Sequence, residues 1–188
     1  MNVVRAFIAV EVDNPEVIRK IKMVQDEIKS SGSALTKDVE LGNLHITLKF
    51  LGEINSYKVE QVKQELKKVK FNPFEVVFKG VGYFPGGSRV NVIWVGVEDF
   101  DGVLNRLGNE VQQRMEKLGF QPEKFTPHLT IARVKSVKDK HTLLQILANY
   151  GNELFGRQRI ECIYLKKSIL TQKGPIYEDL MRHEGGRE

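Results

Sequence analysis

The chain has 188 residues, of which 41% are hydrophobic and 28% charged, and its formal net charge is +5. This composition excludes a disordered tail protein and fits one compact domain, because it supplies enough apolar material for a core. The single cysteine, Cys162, excludes an internal disulfide, and the mild basic excess permits a polyanionic partner without requiring one.

The chain begins with a predicted strand followed by a predicted helix. Residues 3–12, VVRAFIAVEV, are rich in β-branched side chains, which is typical of a strand. Asn14 can cap a helix, Pro15 can occupy its first turn, and Gly32 supplies its end. Apolar residues at a helical period predict one buried face on this helix: Val17, Ile21, Val24 and Ile28.

The same order then occurs a second time. Residues 44–51, LHITLKFL, predict a strand that ends at Gly52. Ser56 can cap a second helix, which Asn72-Pro73 breaks. The apolar stripe of this helix is Val59, Val62, Leu66 and Val69.

Two strand-like runs, 74–84 and 89–97, occupy the centre of the chain. The turn-forming residues 85–88 join them as a hairpin or as a longer connection. The remaining predicted elements are a helix capped by Asp99 or Asp101 and ended by Gly119, a strand over 128–134, a helix from Val137 to about Tyr150, a strand around 159–170 and another near 177–181.

The paired central strands favour an α+β fold with antiparallel sheets over a doubly wound parallel sheet. Strand and helix recur in the same order in both halves, which suggests a weak internal duplication. No spacer rich in Pro, Gly or Ser divides the chain. We therefore expect residues 1–188 to form a single domain whose two halves pack together.

Two of the four histidines begin the same four-residue pattern. His45-Ile46-Thr47-Leu48 and His128-Leu129-Thr130-Ile131 each read His, apolar, Thr, apolar. Each motif lies on the strand that follows the first helix of its half. Because side chains alternate along a strand, the His and the Thr of a motif share one face.

Two imidazoles on facing strands suit the chemistry of a phosphodiester. Near pH 7, one ring can serve as a neutral base and the other as a protonated acid. The two Thr hydroxyls can donate hydrogen bonds to non-bridging phosphate oxygens, so the reaction would not strictly need a metal. A lone histidine in a strand is usually structural, and the repeat argues against that interpretation here. A zinc site would need further ligands, and His141 and Cys162 are the only other candidates.

The strings LHITLKFLGEI and FTPHLTIARV resemble the 2H phosphoesterase superfamily, and in particular its RNA 2′,3′-cyclic phosphodiesterase branch, also called 2′-5′ RNA ligase. The central segment GYFPGGSRVNVIWVGV is similar to the one that this branch carries between its motifs. The resemblance implies a bilobal fold of two pseudo-symmetric α+β halves, with the site in the cleft between them and no metal or ATP. It also implies opening of a terminal 2′,3′-cyclic phosphate to a 2′-phosphate, and the reverse joining of ends through a 2′-5′ linkage.

The resemblance further implies a role for each histidine. His45 becomes the proton donor to the departing O3′ and His128 the proton acceptor from water, whereas the residues themselves leave these roles open. Lys49 shares the strand parity of His45 and is a candidate phosphate ligand or a solvated surface residue. Arg133 matches a basic position after the second motif, although strict alternation places it on the buried face unless a bulge lies near Ala132.

Phe84 is a candidate for stacking a terminal base, or else a loop anchor that packs inward. The leading hypothesis is a monomeric cytoplasmic enzyme that acts on RNA ending in a 2′,3′-cyclic phosphate, without a cofactor and without a membrane segment. Two alternatives stay open: a non-catalytic module that binds RNA ends, and a phosphodiesterase for a small cyclic nucleotide.

Overall fold

The structure is a computed structural model that describes residues 2–186. The strands are β1 (Val3–Glu11), β2 (Ala34–Asp38), β3 (His45–Asn55), β4 (Phe74–Gly86), β5 (Arg89–Glu98), β6 (His128–Val137), β7 (Leu154–Ile160), β8 (Cys162–Thr171) and β9 (Gly174–Glu184). The helices are α1 (Pro15–Ser31), α2 (Ser56–Leu66), α3 (Val103–Lys117) and α4 (Lys140–Asn149), and a 3-10 turn covers Leu41–Asn43.

The strands form two antiparallel sheets, which confirms the α+β fold class. One sheet has the order β3-β1-β8-β9 and the other β2-β6-β5-β4-β7. The sheets do not correspond to consecutive halves of the chain, because β2 joins the sheet of β6 while β8 and β9 return to pair with β1. Each sheet therefore contains strands from both halves of the sequence.

Helix α1 forms where the sequence predicts it. The Asn14 side chain accepts a hydrogen bond from the Glu16 amide, Pro15 begins the helix, and Gly32 ends it in the left-handed conformation with φ of 66°. The predicted stripe of Val17, Ile21, Val24 and Ile28 is buried. The helix packs against strands β2 and β7.

Other boundaries differ from the prediction. Asn55, not Ser56, caps α2 through its side chain. Asp99, one of the two predicted caps of α3, does accept hydrogen bonds from the backbone amides of Leu104 and Asn105. Strand β2 was not predicted, and the strand expected over 159–170 is two strands, β7 and β8, that meet at Glu161. In the described part of the chain no helix is long and apolar enough to cross a membrane.

Candidate active site

A cavity of about 330 Å³ lies between the two sheets. Both histidine motifs reach it: His45 and Thr47 from β3, and His128 and Thr130 from β6. The structure therefore brings together the four residues that the repeat singled out, although 83 residues separate the two histidines in the sequence.

The His45 ring is held at both nitrogens. Its Nδ1 lies 2.7 Å from the Asn43 carbonyl oxygen, and its Nε2 lies 3.1 Å from the Thr47 hydroxyl oxygen. The rings of Phe7 and Tyr177 pack against it, with centroid distances of 4.9 and 5.5 Å. This burial lowers the pKa of His45 below its ordinary value of 6.5, so the free protein favours the neutral ring at pH 7.

The His128 ring is held in the equivalent way. Its Nδ1 lies 2.7 Å from the carbonyl oxygen of Thr126, two residues earlier, as Asn43 is for His45. A carbonyl oxygen can only accept, so Nδ1 carries a proton in both rings and Nε2 is the nitrogen available for chemistry.

A wall of two aromatic rings supports His128. Phe84 meets the imidazole edge-on, with centroids 5.2 Å apart, and the Trp94 ring lies 5.3 Å from Phe84. Gly82 makes room for this wall, because a Cβ built there would lie 2.2 Å from the Trp94 ring. Phe84 is half-buried and does not line the cavity. Of the two alternatives that the sequence left open for Phe84, the structure favours the residue that packs inward, here against His128 and Trp94, over the base-stacking residue.

Each motif contains a β-bulge at its fourth residue. In β3 the pairing with β1 passes from Thr47 to Lys49 and leaves Leu48 without an opposite residue. In β6 the pairing with β5 passes from Thr130 to Ala132 and leaves Ile131 unpaired in the same way. A bulge of one residue reverses the alternation of the side chains beyond it.

A buried glutamine from a helix holds each bulge. Gln112 of α3 donates from Nε2 to the Leu48 carbonyl oxygen at 2.7 Å. Gln25 of α1 donates from Nε2 to the Ile131 carbonyl oxygen at 3.0 Å. The Ile131 carbonyl oxygen also accepts from the Val39 amide at 2.9 Å. The two glutamine bonds tie the bulged residue of each motif to a neighbouring helix.

The bulge in β3 makes the prediction for Lys49 wrong. Only 2% of the Lys49 side chain is exposed, and its Nζ donates to the Gln121 carbonyl oxygen at 2.6 Å and to the Glu123 carboxylate at 3.1 Å. Lys49 therefore points away from the cavity, and Phe50 lines it in its place. Strict alternation from His45 would instead place Phe50 on the buried core face.

The bulge in β6, in contrast, agrees with what the sequence predicts for Arg133. Strict alternation would bury Arg133, so a substrate contact by this residue required a bulge near Ala132. The bulge lies between Thr130 and Ala132, and Arg133 lines the cavity. Arg133 and Phe50 thus occupy equivalent positions, five residues after the histidine of their motif.

The cavity is rich in uncommitted positive charge. Arg5, Lys37, Arg133 and Lys173 line it, and within residues 2–186 none of them forms an ion pair or a side-chain hydrogen bond. Two carboxylates, Asp38 and Glu40, also line the cavity. Cations that the protein itself leaves unpaired favour an anionic ligand. Sequence reasoning missed Arg5 and Lys37, because neither belongs to a repeated pattern.

The charge of Lys166, on β8, also affects the pKa of His45. Its ammonium lies 2.5 Å from Glu11 and 2.9 Å from Asp179. A second, smaller cavity is lined by His45, Glu11 and Lys166. After burial, its positive charge is among the causes that lower the pKa of His45.

Replacing Lys166 by methionine is expected to raise the pKa of His45. The substitution removes a cation and leaves the Glu11 and Asp179 carboxylates uncompensated, and both changes favour the imidazolium. NMR titration of the His45 ring protons measures the effect. Lys167→Met is the matched control, because Lys167 pairs with Glu178 and does not line the smaller cavity. An unchanged His45 titration in Lys166→Met would show that this charge does not reach the ring.

The residues considered for zinc are not assembled. His141 lies on the exposed side of α4, and Cys162 is a buried free thiol of β8. Across the described residues, no three His, Cys, Asp or Glu side chains form a group that could hold a metal ion.

Comparisons with known proteins agree on one family. The model of the AKAP7 2′5′ RNA ligase-like domain matches residues 6–180. A protein of Archaeoglobus fulgidus named RNA 2′,3′-cyclic phosphodiesterase is 43% identical over 177 residues, which cover 94% of this chain and 97% of the relative. A protein of the same name from Aquifex aeolicus is 38% identical over 184 residues, with coverage of 94% and 95%.

Solved structures agree with the fold. The crystal structure of a Thermus thermophilus protein superposes with a TM-score of 0.78 at 27% identity, and the match covers 97% of this chain and all of that one. Escherichia coli LigT in its apo form gives a TM-score of 0.77 at 20% identity with complete coverage of both chains. At that identity, the second likeness supports the fold alone.

Proposed function

The chain belongs to the 2H phosphoesterases of the 2′5′ RNA ligase-like family, and on this premise we propose that it hydrolyses the 2′,3′-cyclic phosphate at an RNA end to a 2′-phosphate. The name shared by its relatives gives the reaction and the substrate class. One observation carries the proposal for this chain: two imidazoles, each with Nδ1 on a backbone carbonyl, and two Thr hydroxyls face one cavity.

The proposed reaction is a single displacement at phosphorus. His128 Nε2 takes a proton from water as the water oxygen bonds to phosphorus. The bond from phosphorus to O3′ breaks, and His45 Nε2 gives its proton to O3′. Thr47 and Thr130 donate hydrogen bonds to the non-bridging oxygens, where negative charge builds up. A 5′-hydroxyl in the place of water gives a 2′-5′ linkage by the same steps.

The cationic lining supports a polyanionic substrate. Arg133 and Lys37 lie on neighbouring strands of one sheet, paired across β2 and β6. Arg5 lies on β1 of the other sheet, and Lys173 lies in the turn between β8 and β9. Guanidinium and ammonium groups at such positions bind the phosphates of a nucleic acid without reading its sequence. We propose that Arg133 contacts a substrate phosphate.

We also propose that residues 1–188 are one bilobal domain built by internal duplication. The motifs at 45–47 and 128–130, the bulge after each, and the glutamine that holds each bulge support this origin. All of the proposed reacting groups belong to one chain, which supports a monomer, and the free thiol of Cys162 supports a reducing, cytoplasmic location.

The test is turnover of an end-labelled RNA oligonucleotide that carries a 2′,3′-cyclic phosphate, in excess EDTA and without ATP. We expect conversion to the 2′-phosphate, identified against authentic 2′- and 3′-phosphate standards. Binding of the oligonucleotide without turnover would instead favour the non-catalytic module. Turnover restricted to mononucleoside cyclic phosphates would favour the small-substrate alternative.

The pH dependence should reflect the environment of His45. An acid catalyst works while protonated, so the rate falls as the pH rises through its pKa. Because burial lowers the pKa of His45 in the free protein, we expect the falling limb of kcat/KM below pH 6.5. The falling limb of kcat should lie at higher pH, because a bound phosphate anion favours the imidazolium. Coincident limbs in the two profiles would contradict this coupling.

A further inference from the structure

One buried cation has no part in the proposed reaction. Lys49 follows Thr47 by two residues on β3, and its side chain is only 2% exposed. Its ammonium donates to the Gln121 carbonyl oxygen at 2.6 Å and to the Glu123 carboxylate at 3.1 Å. Lysine is rarely buried to this extent, because removing an ammonium from water costs free energy. The contacts of Lys49 therefore have to offset the cost of burying its charge.

The ammonium of Lys49 binds the segment that leads into the second motif. Residues 118–127 connect α3, which packs on β3, to β6 of the other sheet, and none of them belongs to a helix or a strand. Within the described chain, the backbone of residues 121–125 receives its only hydrogen bond from Lys49. The segment then reaches Thr126, whose carbonyl oxygen holds the His128 ring. Lys49 thus connects the first motif to the approach to the second histidine.

The segment before the first motif is held by the backbone itself. Val39, six residues before His45, donates from its amide to the Ile131 carbonyl oxygen at 2.9 Å. Gln25 adds side-chain bonds, because its Nε2 lies 3.1 Å from the Val39 carbonyl oxygen and 3.0 Å from that of Ile131. The approach to the first histidine is therefore tied to the bulge of the second motif.

The segment before the second motif lacks the equivalent backbone donor. Pro122 lies six residues before His128, and proline has no N–H. The Lys49 ammonium instead reaches the neighbouring residue, Gln121, from the position just after the bulge of the first motif. The equivalent position of the second motif is Ala132, whose side chain has no donor. The lysine thus occurs in the copy that lacks the amide, and not in the copy that has it.

We propose that Lys49 is a positioning residue for the reaction: its ammonium replaces the missing backbone N–H, ties segment 118–127 to the first motif, and so fixes the His128 ring relative to His45. This inference rests on the proposed function and adds a residue that acts through His128 without touching the substrate. Rates depend steeply on such placement, because a shift of about 1 Å in a reacting group can cost about 10²-fold.

The test is Lys49→Met, which keeps the length of the side chain and removes the donor. We expect kcat on the RNA cyclic phosphate to fall by about 10- to 100-fold, with KM within about threefold of the wild-type value, because the cations that line the cavity are unchanged. The thermal unfolding midpoint should change little, because an apolar group of similar volume can replace a buried ammonium without loss of stability. A purely structural role would instead lower the midpoint and leave the kcat of the folded protein unchanged.

NMR of the histidine rings in the free protein adds a measurement that does not depend on turnover. With both rings neutral, the ring signals of His128 should shift in Lys49→Met. Those of His45 should stay in place, because Asn43 and Thr47 hold that ring independently. If the wild-type protein hydrolyses no cyclic phosphate, the proposed function fails, and the His128 signals alone decide the role of Lys49. His128 signals at their wild-type positions overturn the proposal, whether or not the protein is active.

Lys20→Met is the matched control. Lys20 also donates to a backbone carbonyl oxygen, that of Leu154 at 2.7 Å, and also pairs with a glutamate, Glu153 at 3.6 Å, but neither partner leads into a motif. This variant should leave kcat and both rings unchanged. Lys49→Leu repeats the test with a second neutral side chain of different shape. An unchanged kcat in active Lys49→Met, an equal loss in Lys20→Met, or failure of both Lys49 variants to fold would overturn the positioning role.

Discussion

Replacement of either His45 or His128 by alanine is expected to lower kcat/KM on an RNA 2′,3′-cyclic phosphate end by about 10²- to 10⁴-fold. Each substitution removes one of the two proton transfers, while the Thr hydroxyls and the cavity cations remain. The kcat/KM of the double variant should be only slightly below that of the less active single variant, because the two rings act as a unit on one displacement.

The measurement is single-turnover hydrolysis of the labelled oligonucleotide by each variant. His141→Ala is the control, because His141 is exposed on α4 and does not line the cavity. Both active-site variants should still bind the oligonucleotide. If either histidine can be removed with less than a threefold effect on the rate, the two-imidazole mechanism is wrong.

The parts of the fold set by local chemistry could be predicted from the sequence. The cap at Asn14 and the buried stripe of α1 depend on residues within one helix, and the structure has both. Strand β2 could not be predicted, because Leu35 is exposed and Ala34 is its only buried residue, which leaves no apolar alternation. It forms by pairing with β6, about a hundred residues away in the sequence.

The cavity lining could be predicted only in part, for a related reason. Alternation assigns faces correctly up to Thr47 and Thr130, and a bulge then reverses it in both strands. The charge of Arg133 revealed the conflict in the second motif. In the first motif the same reversal places Phe50 at the cavity and Lys49 in the interior, the opposite of what alternation predicts. The first motif by itself gives no sign of it, because a lysine is an ordinary residue at the end of a strand. The repeat itself predicts the irregularity in the first motif, since a bulge required in one copy is expected in the other.

A glycine can mark either the end of an element or a bulge within a strand, and the local sequence pattern does not distinguish the two. Gly52 was expected to end the strand, and β3 continues to Asn55. Its φ of 71° accommodates a second irregularity, where Leu51 has no partner on β1. The same residue type ends α1 at Gly32, so only the pairing of the strands distinguishes a bulge from an end.

The roles of the two histidines can be separated by a sulfur atom at the leaving position. A thiolate leaves without a proton, because its conjugate acid has a pKa near 8.5 whereas that of an alkoxide is far higher. With a 3′-bridging sulfur in the cyclic phosphate, His45→Ala is therefore expected to recover to within about tenfold of the wild-type rate. His128→Ala should stay about 10²- to 10⁴-fold slow, because water still needs a base.

This experiment matters because the free protein by itself does not favour His45 as an acid. Its burial lowers its pKa, and the charges of Lys166, His128 and Arg133 act in the same direction. The proposed role therefore requires that the bound phosphate restore the imidazolium, and the structure provides for this by placing the ring beside the cavity in which the phosphate would lie. Recovery of His128→Ala with the sulfur substrate, rather than of His45→Ala, would reverse the two roles. Recovery of neither variant would mean that proton donation to the leaving atom is not what these rings contribute.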